Sequence, residues 1–154
     1  MNEPLATPRP TTRAVPAAMP WRLLALCYDA LPVLALLMMT SAVFLWLHGG
    51  RTVESDPVFG ALEFAAMWLL VGAYFVTSWR RGGQTIGMRP WRLQVLGSDG
   101  RSAPLQRLCL RYAVASVIPG LCLLWAPFDA QRRGLHDMAA DTLVVRLLPA
   151  GSGR

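Results

Sequence analysis

The sequence predicts an all-α membrane protein with two full transmembrane helices, a third apolar helical segment broken by Pro and Gly, and a small cytoplasmic β ribbon. Hydrophobic residues make up 54% of the 154 residues and charged residues 16%, fewer charges than the roughly 25% of soluble domains. The apolar residues are gathered in three long runs, and short strand-like segments lie outside them. Such a chain has room for one membrane domain, predicted over residues 21–148, between disordered tails at 1–20 and 149–154.

The first tail is predicted from its composition. Residues 1–20 contain five prolines and no apolar periodicity, so they are expected to form neither a helix nor a core. A signal peptide would place a short apolar region nearer the start and end it at a small-residue cleavage site. The first span is therefore expected to stay attached.

The first predicted span covers residues 23–47, a run of twenty-five residues in which Asp29 is the only charge. A helix needs about 20 apolar residues to cross the hydrocarbon core. A carboxylate inside a span costs about 2.5 kcal/mol or more on insertion scales, so it normally faces protein or water and has a function. Arg22 and Asp29 lie seven residues apart, on nearly the same helix face and about 10 Å apart along the axis.

The second predicted span, residues 58–79, also contains one acid, Glu63. Two interpretations of Glu63 stay open: it lines a pathway together with Asp29, or it lies near the outer headgroups and is hydrated. The connection between the spans, residues 48–57, is polar and weakly acidic. Such a loop is typical of the non-cytoplasmic side.

The predicted ribbon lies in an arginine-rich part of the chain. Residues 80–107 contain six arginines, which indicates a cytoplasmic loop. Within it, WRLQVL (91–96) alternates like a strand and is followed by the turn sequence GSDG. TLVVRL (142–147) is a second predicted strand, and we expect the two to pair because a lone strand is unstable.

The third apolar run, residues 108–128, is interrupted by Arg111, two prolines and a glycine. Its uncharged part, 112–128, has seventeen residues, the lower limit for a crossing. It forms either a third full crossing or a re-entrant segment that returns the chain to the cytoplasm. Arg132 and Arg133 follow directly and favour a cytoplasmic C-terminal tail.

The charge distribution bears on partners. All 15 basic residues are Arg, and the formal net charge is +6. These arginines flank apolar spans, where they set topology and meet anionic lipid headgroups. The expected partner is therefore the bilayer and not nucleic acid.

Cys27, Cys109 and Cys122 have no CxxC spacing and are assigned buried packing roles, so neither a metal nor a cofactor is expected.

Three blocks of the sequence resemble the RDD family of bacterial membrane proteins. They are WRLLALCYD at the start of the first span, GQTIGMRPWRLQVLGSDG after the second, and FDAQRRGLHDMAADTLVV after the third run. The family is named for one Arg and two Asp, which the resemblance carries over to Arg22, Asp29 and Asp137. The sequence departs from the family pattern at Asp141 and the three residues before it. The resemblance implies a location in the bacterial inner membrane.

The resemblance also implies a role in transport, with cation and proton exchange suggested for the family. Asp29 fits such a role because a carboxylate in apolar surroundings can alternate between holding a proton and holding a cation. Arg22 and Asp137 are expected to meet at the cytoplasmic surface. His136 either passes protons near neutral pH or is an interfacial side chain satisfied by hydrogen bonds. The secondary candidate residues are Glu63, His136 and Arg111.

Three classes of function compete. The first is a transporter in which Asp29 lines the path, as a homo-oligomer or with other membrane subunits, since two or three spans can hardly enclose a polar path alone. The second is a non-catalytic assembly or binding subunit in which Arg22, Asp29 and Asp137 are structural. An enzyme is not expected, because the sequence has no paired nucleophile and base, no HExxH and no metal-ligand cluster.

Overall fold

The computed structural model describes residues 13–51, 56–117, 125, 129 and 132–148. Most of these residues are helical, and three short segments form an antiparallel sheet. In chain order the elements are β1 (Arg13–Pro16), α1 (Met19–Leu47), α2 (Pro57–Gly82), β2 (Leu93–Gly97), α3 (Leu105–Val117), α4 (Leu135–Ala139) and β3 (Thr142–Leu148).

The two long helices, α1 and α2, are antiparallel neighbours. The ring centroids of Phe44 and Phe59 lie 5.3 Å apart at one end of the pair. Nearer the other end, the Tyr74 hydroxyl donates to Asp29 Oδ1 at 2.7 Å. The two contacts fit the same antiparallel register, in which residues of α1 and α2 at the same level have numbers that sum to about 103.

The outward faces of both helices are apolar. Leu31 and Met38 on α1 are 70% and 66% exposed, and Phe64 on α2 is 71% exposed. Both helices are long and apolar enough to cross a membrane, and hydrocarbon is the surrounding that suits such a surface. They correspond to the two predicted spans, 23–47 and 58–79, with a few further residues at their ends.

The ends of α2 follow from its sequence. Asp56 Oδ1 accepts from the backbone N–H groups of Val58 and Phe59 at 3.0 and 3.2 Å, which caps two otherwise free donors. At the other end, two arginines lie in the last turn, where they complement the negative end of the helix dipole. Gly83 follows with φ of 68°, the left-handed conformation that commonly ends a helix.

The predicted ribbon is present as part of a three-stranded sheet of order β1-β3-β2. β2 pairs with β3 in antiparallel register, with Val95 opposite Val144, so the predicted pairing of the two segments is confirmed. The turn sequence after β2 does not reverse the chain into an adjacent strand. It leads instead to α3, and β3 comes from the far end of the chain.

The third strand, β1, lies within the predicted N-terminal tail. Arg13 to Pro16 pair with Leu148 to Val145, and Ala17 is fully buried. The prediction of disorder is therefore wrong for residues 13–20, and residues 1–12 lie outside the described part. Pro16 is compatible with a strand at a sheet edge, because an edge residue need not donate to the ladder. The pairing energy comes from β3, which local composition does not reveal.

The sheet packs at the end of the helix pair where α1 begins and α2 ends. The buried core lies there and includes Ala25, Trp79, Leu93 and Leu108. Because β3 pairs with both other strands, the segment between β2 and β3 starts and finishes at this same end. Its described helix, α3, covers only the first part of the third apolar run, and residues 118–124 and 126–128 lie outside the described part.

The cysteines differ from their predicted packing role. Cys27 and Cys109 are free and exposed on their helices, whereas Cys122 lies outside the described residues. An apolar helix surface that faces hydrocarbon accepts a thiol as readily as a protein core does. The prediction of burial within the protein is therefore wrong for Cys27 and Cys109.

Candidate functional site

Asp137 is the centre of a buried ion cluster, and its side chain has no exposed surface. Arg22 Nη1 lies 2.7 Å from Asp137 Oδ2, and Arg111 Nη1 lies 2.8 Å from Oδ1. The backbone N–H of Gly134 also donates to Oδ2, at 2.9 Å. Each carboxylate oxygen thus meets a different guanidinium. The expected contact between Arg22 and Asp137 is present, and Arg111, a secondary candidate, is an equal member of the cluster.

Several elements bring these side chains together. Arg22 is in the first turn of α1, Arg111 is in α3 and Asp137 is in α4. Arg111 Nη1 also donates to Thr142 Oγ1 at 3.3 Å, and its guanidinium carbon lies 4.7 Å from the ring centroid of Trp79 on α2, a cation–π distance. The cluster therefore connects the four described helices to β3.

The two guanidiniums keep Asp137 ionised. Burial by itself would raise the pKa of Asp137, but the positive charges of Arg111 and Arg22 and the Gly134 hydrogen bond outweigh it and lower that pKa. Two guanidiniums and one carboxylate leave the cluster with one net positive charge. A buried group of this kind is stable only while every partner is present.

His136 contacts the same carboxylate, with Nε2 3.4 Å from Asp137 Oδ1. Burial and the charge of Arg111 lower the pKa of His136 to about 4, so the imidazole is neutral near pH 7. Its Nδ1 is buried and has no hydrogen-bond partner in the described part of the chain. Neither sequence interpretation fits fully: a carrier should titrate near neutral pH, and an interfacial side chain should have both nitrogens satisfied.

Asp29 belongs to a second polar cluster. Its Oδ1 accepts from the Tyr74 hydroxyl at 2.7 Å and from the backbone N–H of Gly87 at 2.9 Å. Its Oδ2 accepts from the Thr85 hydroxyl. Asp29 is only 4% exposed. The sequence predicted apolar surroundings for Asp29. In the structure, three hydrogen-bond donors surround its carboxylate, one from α2 and two from the loop after α2.

Gly87 explains how the loop reaches the carboxylate. A Cβ at this position would lie 2.2 Å from the carbonyl oxygen of Ala25 and 2.8 Å from Asp29 Cγ. Only glycine allows the loop backbone to approach α1 so closely. The sequence signal was the block GQTIG, in which Thr85 and Gly87 stand two residues apart. Neither residue was predicted as a partner of Asp29, because nothing local relates the loop to a helix 56 residues earlier.

The predicted candidates do not all converge. Arg22 and Asp29 lie on one buried face of α1, as expected, but each has its own set of partners. Glu63 is also buried, at 6% exposed, which does not fit the hydrated interpretation. The register of the helix pair puts Glu63 near the level of Thr40, about 16 Å along the axis from Asp29. Glu63 therefore lies well away from both clusters.

A cavity of about 780 Å³ connects the two clusters with the helix surfaces. Its walls come from α1, α2 and α3, and its polar lining includes Arg22, Asp29, Arg111 and His136 at the end near the sheet. Away from the sheet the lining is mainly apolar and includes Val33, Leu37 and Val71, together with the Ser116 hydroxyl. The cavity has a volume typical of small-molecule sites.

Within residues 13–51, 56–117, 125, 129 and 132–148, no group of three or more His, Cys, Asp or Glu side chains could hold a metal ion. What the clusters offer is a positively charged guanidinium pair and a hydrogen-bonded carboxylate. Both can bind polar groups or hold helices together.

The chain is similar in sequence to known proteins. An uncharacterized protein of Rickettsia prowazekii (strain Madrid E) is 24% identical over 89 residues, which are 58% of this chain and 51% of that protein. The chain thus spans about half the length of this curated relative. No solved structure matches the chain. The model of the RDD family matches residues 16–141, a range that contains Arg22, Asp29 and Asp137, and the chain therefore belongs to the RDD family.

Proposed function

We propose that this RDD protein is a non-catalytic membrane subunit in which Arg22, Asp29 and Asp137 hold the helices in one arrangement for assembly or binding. The observation that carries this proposal is that both oxygens of the Asp29 carboxylate already accept hydrogen bonds. Tyr74, Thr85 and Gly87 all donate to it. A carboxylate that must exchange cations needs free oxygens, and here each oxygen already has a donor.

The Asp137 cluster supports the same proposal. Removing one partner of a buried ion pair typically costs about 3–5 kcal/mol, because it leaves an uncompensated charge. Asp137 holds two such partners on different helices, Arg22 and Arg111. The strength of these contacts is suited to fixing a packing arrangement. The absence of a nucleophile and base pair from the sequence is the reason not to propose an enzyme.

We further propose an inner-membrane location with the sheet on the cytoplasmic side. Among the described residues, Arg51 is the one arginine in the connection between α1 and α2, whereas the others lie in or next to the sheet, α3 and α4 or at the sheet ends of the long helices. This asymmetry is the positive-inside pattern. The pairing of β3 with β1 and β2 favours a third segment that returns to the sheet side over one that crosses once.

Partners complete the proposal. The bilayer and its anionic headgroups surround the arginine-rich end. The wide apolar surfaces of α1 and α2 leave room for a second copy or another membrane subunit, which makes a homo-oligomer our expectation. Small exposed residues on one face of α1, Ala35 and Ala42, allow close helix contact within a membrane.

Cation or proton transport is the second candidate function, and one observation favours it. Asp29 lines the cavity that also includes Arg22 and His136, so an ion entering from the sheet side could reach its carboxylate if the loop from Gly83 to Met88 moved away. In that case Thr85 and Gly87 would be a gate, and Asp29 would be the exchange site.

Flux measurements on Asp29→Asn distinguish the two functions. Asn keeps an acceptor for Tyr74 and Gly87 and can donate to the Thr85 hydroxyl, so the variant should assemble like the parent. In sealed vesicles of purified protein, we expect no ion-dependent proton movement from parent or variant. Flux in the parent that is lost in Asp29→Asn, and kept in the exposed control Asp99→Asn, would contradict the structural proposal and establish transport.

A further inference from the structure

The cavity between α1, α2 and α3 has one polar end and one apolar end. Arg22 and Arg111 lie at the end near the sheet. Further from the sheet, α1 contributes Val33 and Leu37, and α2 contributes Phe64 and Met67. This division between a charged end and an apolar body matches an amphiphile and not a small polar solute.

The length of the cavity corresponds to one leaflet. Its lining on α1 runs from Arg22 to Leu37, and its lining on α2 runs from Trp79 to Phe64. Fifteen residues of helix in each case cover about 22 Å at the helical rise. Half of a bilayer, with its headgroup region, is about 20–22 Å thick. A lipid whose headgroup is level with Arg22 would therefore end its chain near Leu37.

The side of the cavity is accessible from the surface of the helices. Leu26, Phe64 and Trp68 line the cavity and are themselves 50%, 71% and 40% exposed. Exposed lining residues on both α1 and α2 mark an opening on the apolar surface. A lipid of the same leaflet can enter there without leaving the hydrocarbon.

The charged end has unused donors. Arg22 and Arg111 are 6% and 5% exposed, and Asp137 occupies one Nη1 atom of each. Arg22 Nε, Arg22 Nη2 and Arg111 Nε are buried and have no hydrogen-bond partner within the described residues. Unsatisfied donors on charged groups are costly. An anionic oxygen in the cavity beside these two side chains would neutralise the one net positive charge of the cluster.

Two other ionisable side chains that line the cavity, His136 and Asp29, have little effect on the binding of an anionic headgroup. His136 is neutral near pH 7, as described above. The oxygens of Asp29 already accept from Tyr74, Thr85 and Gly87, and Asp29 lies about 10 Å further along α1 than Arg22. The charge that a headgroup meets is therefore the one net positive charge of the Arg22, Arg111 and Asp137 cluster.

We propose that this cavity binds one anionic phospholipid of the sheet-side leaflet, with its phosphate at Arg22 and Arg111 and an acyl chain along Val33 and Leu37. Basic pockets between membrane helices are suited to such headgroups. The inference goes beyond the proposed assembly role and does not require it, because a lipid can occupy the cavity whether or not Asp29 moves ions.

Native mass spectrometry of the full chain, released from nanodiscs of defined composition, tests the proposal. With phosphatidylglycerol mixed into phosphatidylcholine, we expect one phosphatidylglycerol to stay bound, with a preference of about tenfold over phosphatidylcholine. Equal retention of the two lipids would overturn the proposed headgroup contact. Inorganic phosphate alone, added to lipid-free protein in detergent, should not raise the melting temperature. A rise equal to that given by phosphatidylglycerol would instead indicate a site for free anions and overturn the lipid proposal.

A matched pair of variants tests the location. Val33→Trp fills the cavity, whereas Leu34→Trp puts the same ring on a residue that is 55% exposed and is not part of the lining. We expect Val33→Trp to lower phosphatidylglycerol retention by about tenfold and Leu34→Trp to leave it unchanged. Ala115→Leu, on the α3 wall, is the second filling variant if Val33→Trp does not fold. Unchanged retention in the filled, folded variant would contradict the proposal.

Discussion

Arg22 in the first turn of α1 and Asp137 in α4 are 115 residues apart in the chain, and Arg22 Nη1 lies 2.7 Å from Asp137 Oδ2. Both side chains are buried. The pair connects the start of the first long helix to α4, the short helix that precedes the last described strand. Because Arg111 binds the other carboxylate oxygen, the contact is one half of a three-residue cluster.

A double-mutant cycle with Arg22→Gln and Asp137→Asn should measure this contact. We expect Asp137→Asn to lower the free energy of unfolding by about 3–5 kcal/mol, since it leaves two buried guanidiniums without a counter-charge. The coupling energy between the two changes should exceed about 1 kcal/mol. Unfolding in detergent micelles, followed by tryptophan fluorescence, gives these values.

The exposed pair Arg107–Asp141 is the matched control for that cycle. Its side chains are 40% and 53% exposed, with Nη1 2.9 Å from Oδ2. Exposed ion pairs contribute up to about 1 kcal/mol, so the same cycle at this pair should give a smaller coupling. Coupling that is no larger at Arg22 and Asp137 than at the exposed pair would contradict a structural role for the buried cluster.

His136 should make the fold sensitive to mild acid. Its pKa is about 4 in the folded chain against 6.5 ordinarily, so below pH 6.5 the unfolded chain takes up a proton that the folded chain does not. Stability is therefore complete above pH 6.5 and decreases toward pH 4, by up to about 3 kcal/mol. The pKa of Asp137 is lowered, so the stability that its ionised form contributes is lost only at still lower pH.

Melting temperatures of the parent and His136→Gln between pH 7.5 and 4.5 test this expectation. His136→Gln should flatten the decline across that range, because the group that takes up the proton is gone. His48→Gln, which changes the other histidine at the far end of α1, should retain it. The same slope in His136→Gln as in the parent would show that another group is responsible.

Gly87→Ala should displace the loop from α1. The added Cβ would lie 2.2 Å from the Ala25 carbonyl oxygen, and overpacking of this kind costs about 1–3 kcal/mol. The donors from Thr85 and Gly87 to Asp29 would move with the loop. Gly82→Ala, where nothing lies within 4 Å of the added atom, is the control and should change the melting temperature little. Equal melting temperatures for the two variants would refute the close approach.

Cysteine labelling should report the topology of the membrane domain. After replacement of the three native cysteines, Gly49→Cys between α1 and α2 should react with an impermeant thiol reagent in intact cells. Ser102→Cys, before α3, and Ser152→Cys, after β3, should react only once the cells are permeabilised, because Ser102 and the strand β3 lie on the arginine-rich side. Labelling of Ser152→Cys in intact cells would support a third full crossing and contradict the return of the chain.

Much of the fold could be predicted from local patterns. The two spans follow from run length, since hydrocarbon requires internally bonded helices of about 20 residues whatever the rest of the chain does. The ribbon followed from two segments with strand alternation, each in need of a partner. β1 was missed because the four residues RAVP have no periodicity of their own and become a strand only through β3.

In the candidate site, too, some features follow from the local sequence and others depend on distant contacts. Arg22, Asp29 and Asp137 were identified from the resemblance, and Asp29 also from the cost of a charge in an apolar run. The sequence by itself determined that the chain is built for a membrane, because hydrophobicity and charge placement act locally along the helix. Only the tertiary structure decided the environment of Asp29. Its donors come from Tyr74, Thr85 and Gly87, 45 to 58 residues away, and long-range contacts of this kind arise only when antiparallel helices and their loops pack together.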